Sequence, residues 1–152
     1  MSYFHSFLFS QTDLFVINLS QAKQYGLVRT LMGRVRRLPD IRSDDSGKAS
    51  YAERQAVNSV IQGTASDIIK YAMVNVDRKL GASWPSDLPA PRILMQIHDE
   101  LIYEVSESDP ACKEQFITLL RAAMEEDMVR ALNLRVPLVV TVKCGAEWGN
   151  ME

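Results

Sequence analysis

The sequence predicts an α+β fold, one antiparallel sheet packed against long helices, and three observations carry that prediction. Between Tyr51 and Leu80 apolar residues recur at steps of three and four, the period of a helix with one inward face. Arg92–Ile97 and Leu101–Val105 are β-prone runs joined by three polar residues, the pattern of a hairpin. Pro110 to Asn133 is again helical in period and leads to a last β-prone run, Leu138 to Cys144. Strands joined by a hairpin and followed by helices sort into a sheet layer and a helix layer. At 152 residues and 47% hydrophobic content, the chain can bury one ordinary core, so a single globular domain is expected.

The elements follow in order. Residues 1–20, "MSYFHSFLFSQTDLFVINLS", form an apolar and aromatic leader without a basic start and with Asp13 inside it, which argues against a cleaved signal. In "QAKQYGLVRTLMGRVRRLPDI", Gly26, Gly33 and Pro39 punctuate short β-prone pieces, so the end of a helix and then a basic hairpin or loop are expected. "SDDSGKAS" is turn chemistry. In the long helix Val57, Ile61, Ala65, Ile68, Ile69, Ala72, Met73, Val76 and Leu80 make up the inward set. Gly63 interrupts it at a cost of about 1 kcal/mol relative to alanine, which calls for a bend or a close backbone approach. "GASWPSDLPAP" forbids helix and central strand alike and reads as a surface loop. In the second helix Phe116, Leu119, Leu120, Ala123 and Met124 face inward, and Pro110 suits its first turn.

Charge is segregated although the formal net charge is only -2. From Lys23 to Arg54 eight basic residues stand against four acidic ones, and from Asp99 to Arg130 nine acidic against three basic. The first segment suits a phosphate-bearing partner and the second does not. Cys112 and Cys144 have no paired spacing, so neither a disulfide framework nor a zinc site is expected, and a reduced intracellular protein is. No stretch has the roughly 18 apolar residues of a membrane span, so no membrane partner is expected.

Two groups of residues carry possible chemistry. In "LMQIHDELIYEV", Asp99 and Glu100 place adjacent carboxylates at the apex of the hairpin, beside His98. Each negative charge disfavours ionisation of the other, and a hard divalent cation such as Mg²⁺ removes that cost. Turn residues facing water are the other reading, and a phosphohydrolase built on a His-Asp pair is disfavoured because the only other histidine is His5. Arg54, Asn58 and Gln62 fall at i, i+4 and i+8, one above another on a single helix face. A solvated face is usually filled with Lys and Glu. This row of donors could instead reach the minor-groove acceptors that every base pair presents, testing pair geometry without reading sequence.

"RTLMGRVRRLPDI", "AERQAVNSVIQGTASDIIKYAM" and "LMQIHDELIYEV", in that order, resemble the C-terminal palm segment of family A DNA polymerases, most nearly the eukaryotic polymerases theta and nu. The likeness runs from about Gln21 to Gly149 and includes the closing "GAEWG", so residues 21–152 are expected to be the later part of a polymerase palm behind an unmatched leader. The resemblance implies a palm-type sheet and template-directed transfer of a deoxynucleotide to a primer 3′-OH, in DNA repair or replication. It implies primer–template DNA and dNTP as partners, a two-Mg²⁺ site of which this chain holds half, and a nuclear location. Asp99 matches the metal-coordinating aspartate and Glu100 its acidic neighbour. His98 matches a histidine near the primer terminus, and Arg54, Asn58 and Gln62 the residues that contact the minor-groove side. Arg29, Arg34 and Arg36 would lie along the duplex backbone, a contact that weakens with salt.

The family's first catalytic aspartate, in a D-x-S-x-x-E type motif, has no counterpart before Gln21. Nor does the R-x-x-x-K fingers helix that grips the triphosphate, although "QAKQYG" holds a Tyr-Gly. A polypeptide of these residues is therefore expected to be a fragment without activity of its own. The alternatives are a non-catalytic module that holds primer–template DNA, or a chain whose sheet lacks partner strands and does not fold stably.

Overall fold

Asp45 starts the longest element of the molecule. Its carboxylate accepts the backbone amides of Gly47 at 2.8 Å and Lys48 at 3.2 Å, filling two of the donors that a helix leaves unmatched at its first turn. The helix that follows, α2, runs from Ser46 to Ser83. It begins earlier than the expected Tyr51 because "SDDSGKAS" divides at its second aspartate, which becomes the cap while the rest joins the helix. Asp45→Ala is expected to lower the stability of the segment by about 1 kcal/mol, read as a lower thermal midpoint.

The computed structural model describes residues 2–4, 19–106 and 110–147, with residues 2–4 and 110 given by their backbone alone. The chain divides into two units, one of residues Leu8–Ile68, the other of Met1–Phe7 and Ile69–Glu152, where the sequence pointed to one.

In the first unit a short helix, α1 (19–25), ends at Gly26. Gly26 has φ +69 and donates its amide to Ala22 O at 2.8 Å, the left-handed stop that glycine adopts without strain. Strands β2 (Leu27–Arg29) and β3 (Val35–Arg37) pair antiparallel, Val28 opposite Arg36. Gly33, at φ +83, closes the turn between them by donating to Thr30 O at 2.9 Å. A 3-10 turn, Pro39–Arg42, leads on to α2. The guanidinium of Arg42 donates to the carbonyls of Lys23 and Gln24, where the unmatched end of α1 favours a cation. Ala22, Val28, Leu38, Ile41, Ala52, Ala56 and Val60 form the core of the unit, with Leu19 beside them.

That core corrects the expected inward face. Val57 is half-buried, Ala65 exposed and Ile61 56% exposed, while Ala52, Ala56 and Val60 are buried. The spacing rule gives most weight to large side chains. Here Ala52, Ala56 and Val60 pack in one cluster with Ala22, Val28, Leu38 and Ile41, a seam that small side chains fill.

In the second unit α2 continues with Ile69, Ala72 and Val76 buried and stops ahead of Pro85, since the residue before a proline is driven out of helical conformation. The sheet has the order β4 (Arg92–Ile97), β5 (Glu100–Glu104), β1 (Ser2–Phe4), β6 (Val140–Val142), and every neighbouring pair is antiparallel. The leader thus supplies a strand that its sequence did not announce; its residues 5–18 lie outside the described residues. β4 is an edge strand, with a register irregularity between Ile93 and Met95 and with Ile93, Leu94 and Met95 exposed. The expected strand Leu138 to Cys144 is shortened to three residues. Of the closing "GAEWG", Trp148 and Gly149 lie outside the described residues.

The helix expected from Pro110 to Asn133 is α3 (Pro110–Arg121), a π-helical turn (Ala122–Glu126) and α4 (Asp127–Ala131). Asp127 N donates to Ala122 O, one residue further back than an α-helix allows. Asn75 sits against this turn, 7% exposed, and its amide nitrogen donates to Ala123 O at 3.0 Å and to Asp127 Oδ2 at 3.3 Å. Glu125 Oε1 accepts the amide of Val140 at 2.7 Å, fixing β6 to the same turn. Phe116 packs edge-on against Trp84, ring centres 6.4 Å apart, and at a 59° tilt against Tyr103, ring centres 5.0 Å apart. Among the described residues no helix is long and apolar enough to cross a membrane.

Candidate nucleic-acid interface

Arg54, Asn58 and Gln62 are all exposed, along one face of the first half of α2. The buried residues Ala52, Ala56 and Val60 each precede one of them by two positions, about 200° around the helix, so the donor row points away from the core. Arg54 Nη1 donates to Ser50 Oγ at 3.2 Å, and the guanidinium lies 5.8 Å from the centre of the Tyr51 ring. These contacts are local to the helix. They steady the Arg54 side chain and leave the ends of Asn58 and Gln62 to solvent.

The β2–β3 hairpin belongs to the same unit and carries the expected cations Arg29, Arg34 and Arg36, with Arg37 beside them. Arg29 Nη1 donates across the turn to Gly33 O at 3.2 Å. The side chains of Arg36 and Arg37 are exposed and have no hydrogen-bond or ion-pair partner among the described residues. Arg34 differs. Its Nε donates to Asp67 Oδ1 and its Nη2 to Gly63 O, both at 2.9 Å.

Those contacts explain Gly63. A Cβ built at that position would lie 2.5 Å from Thr30 Cγ2, so the expected close approach is met by the hairpin turn. Sequence reasoning missed Thr30, Thr64 and Asp67, which complete the junction. Thr30 Oγ1 donates to Asp67 Oδ2 at 2.5 Å, and Thr64 Oγ1 accepts the Leu31 amide at 3.0 Å. The signal available was Gly63 within a helical run, followed on the same turn by Thr64 and Asp67.

His98, Asp99 and Glu100 form their own group in the other unit. The apex is tighter than expected: Glu100 opens β5 and pairs with Ile97, which leaves His98 and Asp99 as the two-residue turn. His98 has φ 51, the left-handed conformation that a two-residue hairpin requires at its first turn residue. Its carbonyl accepts from Gln96 Nε2 at 3.0 Å. Asp99 is exposed and Glu100 half-buried. Two adjacent carboxylates match a hard cation that draws its other oxygen ligands from water and substrate, and among the described residues no group of three or more His, Cys, Asp or Glu could hold a metal ion. Below the apex, burial holds the Tyr103 phenol neutral and pushes its pKa up to about 12, with the Asp77 carboxylate adding to the shift.

The chain is similar to known proteins over most of its length. The family described as DNA polymerase family A matches residues 2–150. DNA polymerase I of Bacillus caldotenax is 43% identical over 130 residues, and that of Bacillus subtilis (strain 168) 44% identical over 131. Each alignment takes in 86% of this chain and 14% of the relative, so the chain spans about a seventh of their length. A solved structure of the POL domain of Pol1 from M. smegmatis, in complex with DNA primer-template and dNTP, superposes with a TM-score of 0.75 at 40% identity. That match covers 90% of this chain and 22% of the other. None of the three bears on the narrower likeness to polymerases theta and nu. On the family match and these identities, the chain belongs to DNA polymerase family A.

Proposed function

We propose that this chain is the C-terminal palm portion of a DNA-directed DNA polymerase, a nucleotidyltransferase that extends a primer 3′-OH, and that its own share of the task is to hold primer–template DNA. The observation that carries this reading is the exposed row Arg54, Asn58 and Gln62, set opposite the buried face of α2 in the same unit as a cationic hairpin. A DNA partner is supported by the primer-template and dNTP named for the M. smegmatis structure. Arg36, with Arg29 and Arg37, supplies sequence-independent attraction to phosphate, and the helix row meets the minor-groove edge.

Asp99 would hold a Mg²⁺ ion, with Glu100 beside it and His98 near the primer terminus. When bound, such an ion supplies charge stabilisation for phosphoryl transfer. The chain's own contribution is to present Asp99 on the two-residue turn and Glu100 beside it at the start of β5. A single carboxylate pair without a grip on the triphosphate does not hold two metal ions in register, so a polypeptide of these 152 residues binds duplex without extending it.

The test is binding of a labelled primer–template duplex to the 152-residue chain across a salt series, with primer extension measured in parallel in Mg²⁺ and dNTPs. Affinity is expected to fall steeply with salt and to fall about tenfold in Arg54→Ala, the scale of one lost charge-assisted hydrogen bond. No binding at low salt removes the proposal. Extension that Asp99→Ala abolishes shows instead that the chain is an enzyme by itself.

A further inference from the structure

The arginines of the β2–β3 hairpin do different work. Four hydrogen bonds join the hairpin turn to one turn of α2: Arg34 Nε to Asp67, Arg34 Nη2 to Gly63 O, Thr30 Oγ1 to Asp67, and the Leu31 amide to Thr64 Oγ1. Thr30 Oγ1 also accepts the Arg34 amide at 3.1 Å, which orients that hydroxyl toward the carboxylate. Asp67 is 8% exposed, and a buried carboxylate is retained where its hydrogen bonds and countercharge are in place. Both of its oxygens are engaged, one by the hydroxyl and one by the guanidinium.

We infer that Arg34 and Asp67 are a positioning pair, which fixes the direction of the hairpin against the donor row of α2, and that Arg34 is not itself a phosphate contact. This rests on the DNA-binding reading above. Gly63 belongs to the device, since its missing Cβ lets Thr30 reach Asp67. With the hairpin fixed, the cations of Arg36 and Arg37 are held at a set distance from Arg54, Asn58 and Gln62. One duplex can then meet both groups without an ordering cost at binding.

The sign of one substitution separates positioning from bulk electrostatics. Asp67→Asn removes a negative charge and releases Arg34, which by charge alone tightens binding to a polyanion. A positioning role requires the reverse. Expected for the full 152-residue chain is duplex affinity about tenfold weaker in Asp67→Asn, with the slope of log affinity against log salt unchanged. Arg36→Ala should lower that slope by about 0.9, the signature of one lost phosphate contact. Thr64→Val, which alters no charge, should weaken binding in the same direction and carries the test if Asp67→Asn does not fold. Hydrogen exchange at the Leu31 amide should quicken in both variants while the Val60 amide stays protected.

Unchanged or tighter binding by Asp67→Asn overturns the inference, as does an Arg34→Gln chain whose salt slope falls as far as that of Arg36→Ala. If the parent chain binds no duplex, the DNA reading fails and takes the inference with it. Binding by the parent together with tighter binding by the variant sinks the inference alone.

Discussion

Gly63→Ala is expected to melt at a lower temperature than the parent chain, although alanine is the better helix former by about 1 kcal/mol. The new methyl would stand 2.5 Å from Thr30 Cγ2. Thr30 cannot simply turn away, because its hydroxyl is held between Asp67 and the Arg34 amide. Forcing a methylene-sized group into such a contact costs about 1–3 kcal/mol, and the strain falls on the junction that docks the hairpin. A net loss of about 2 kcal/mol follows where the hydrogen bonds of Asp67 are broken as well. The partner substitution makes the claim specific. Thr30→Ser keeps the hydroxyl and deletes the obstructing methyl, so the double variant Gly63→Ala/Thr30→Ser should recover the lost stability and gain part of the helix propensity. A double-mutant cycle followed by thermal or urea unfolding measures the coupling. Equal effects of Gly63→Ala with and without Thr30→Ser would show that the approach of Thr30 is not what requires glycine.

Asn75→Ala should be comparably damaging, at about 2–3 kcal/mol, because it strips a buried carbonyl of its donor. Where the helix passes through its π-helical turn, Asn75 supplies the hydrogen bond to Ala123 O and reaches Asp127 as well. Asp127 extends the effect to acid pH. Lys79, donating to it at 2.8 Å, holds its carboxyl below the usual carboxylate range, with Asn75 and Arg130 assisting against the opposing effect of burial. A group whose folded pKa is depressed contributes stability above its unfolded value, near 3.9, and that contribution is lost as pH falls through the lower folded value. The parent should therefore lose stability progressively below about pH 4. Asp127→Asn should start less stable at neutral pH and show a flatter acid limb in unfolding free energy against pH. A limb of unchanged steepness would mean that other carboxylates govern it.

What was legible in the sequence was local. The hairpin at Arg92–Glu104, the long helix and the basic hairpin each rest on a period or a turn signal contained within a few residues. The exposed row Arg54, Asn58, Gln62 was legible for the same reason, since helical spacing alone puts it on one face. What escaped depends on partners distant in the chain. The π-helical turn is matched to Asn75, and nothing in "AAMEE" announces a change of helical register. Arg34 looked like one cation among several until Asp67 stood beside it. The inward face of α2 differs from the expected one because its first half is buried through Ala52 and Ala56, and alanine is weak in any hydrophobic pattern. The strand at residues 2–4 pairs with β5 and β6, segments from the far end of the chain.

The edge strand β4 has a consequence for handling the protein. Its run Arg92–Ile97 leaves Ile93, Leu94 and Met95 exposed on a strand with no second neighbour among the described residues, a template on which a second unfolding chain could add a strand and begin an aggregate. The flanks resist this. Pro91 and Arg92 stand at one end, Asp99 and Glu100 at the other, and the irregular register near Leu94 spoils the flat ladder that stacking needs. The carboxylates proposed for metal binding thus also put negative charge at the end of the exposed strand. Asp99→Ala is therefore expected to scatter more light than the parent chain, and light scattering belongs beside every assay of that variant.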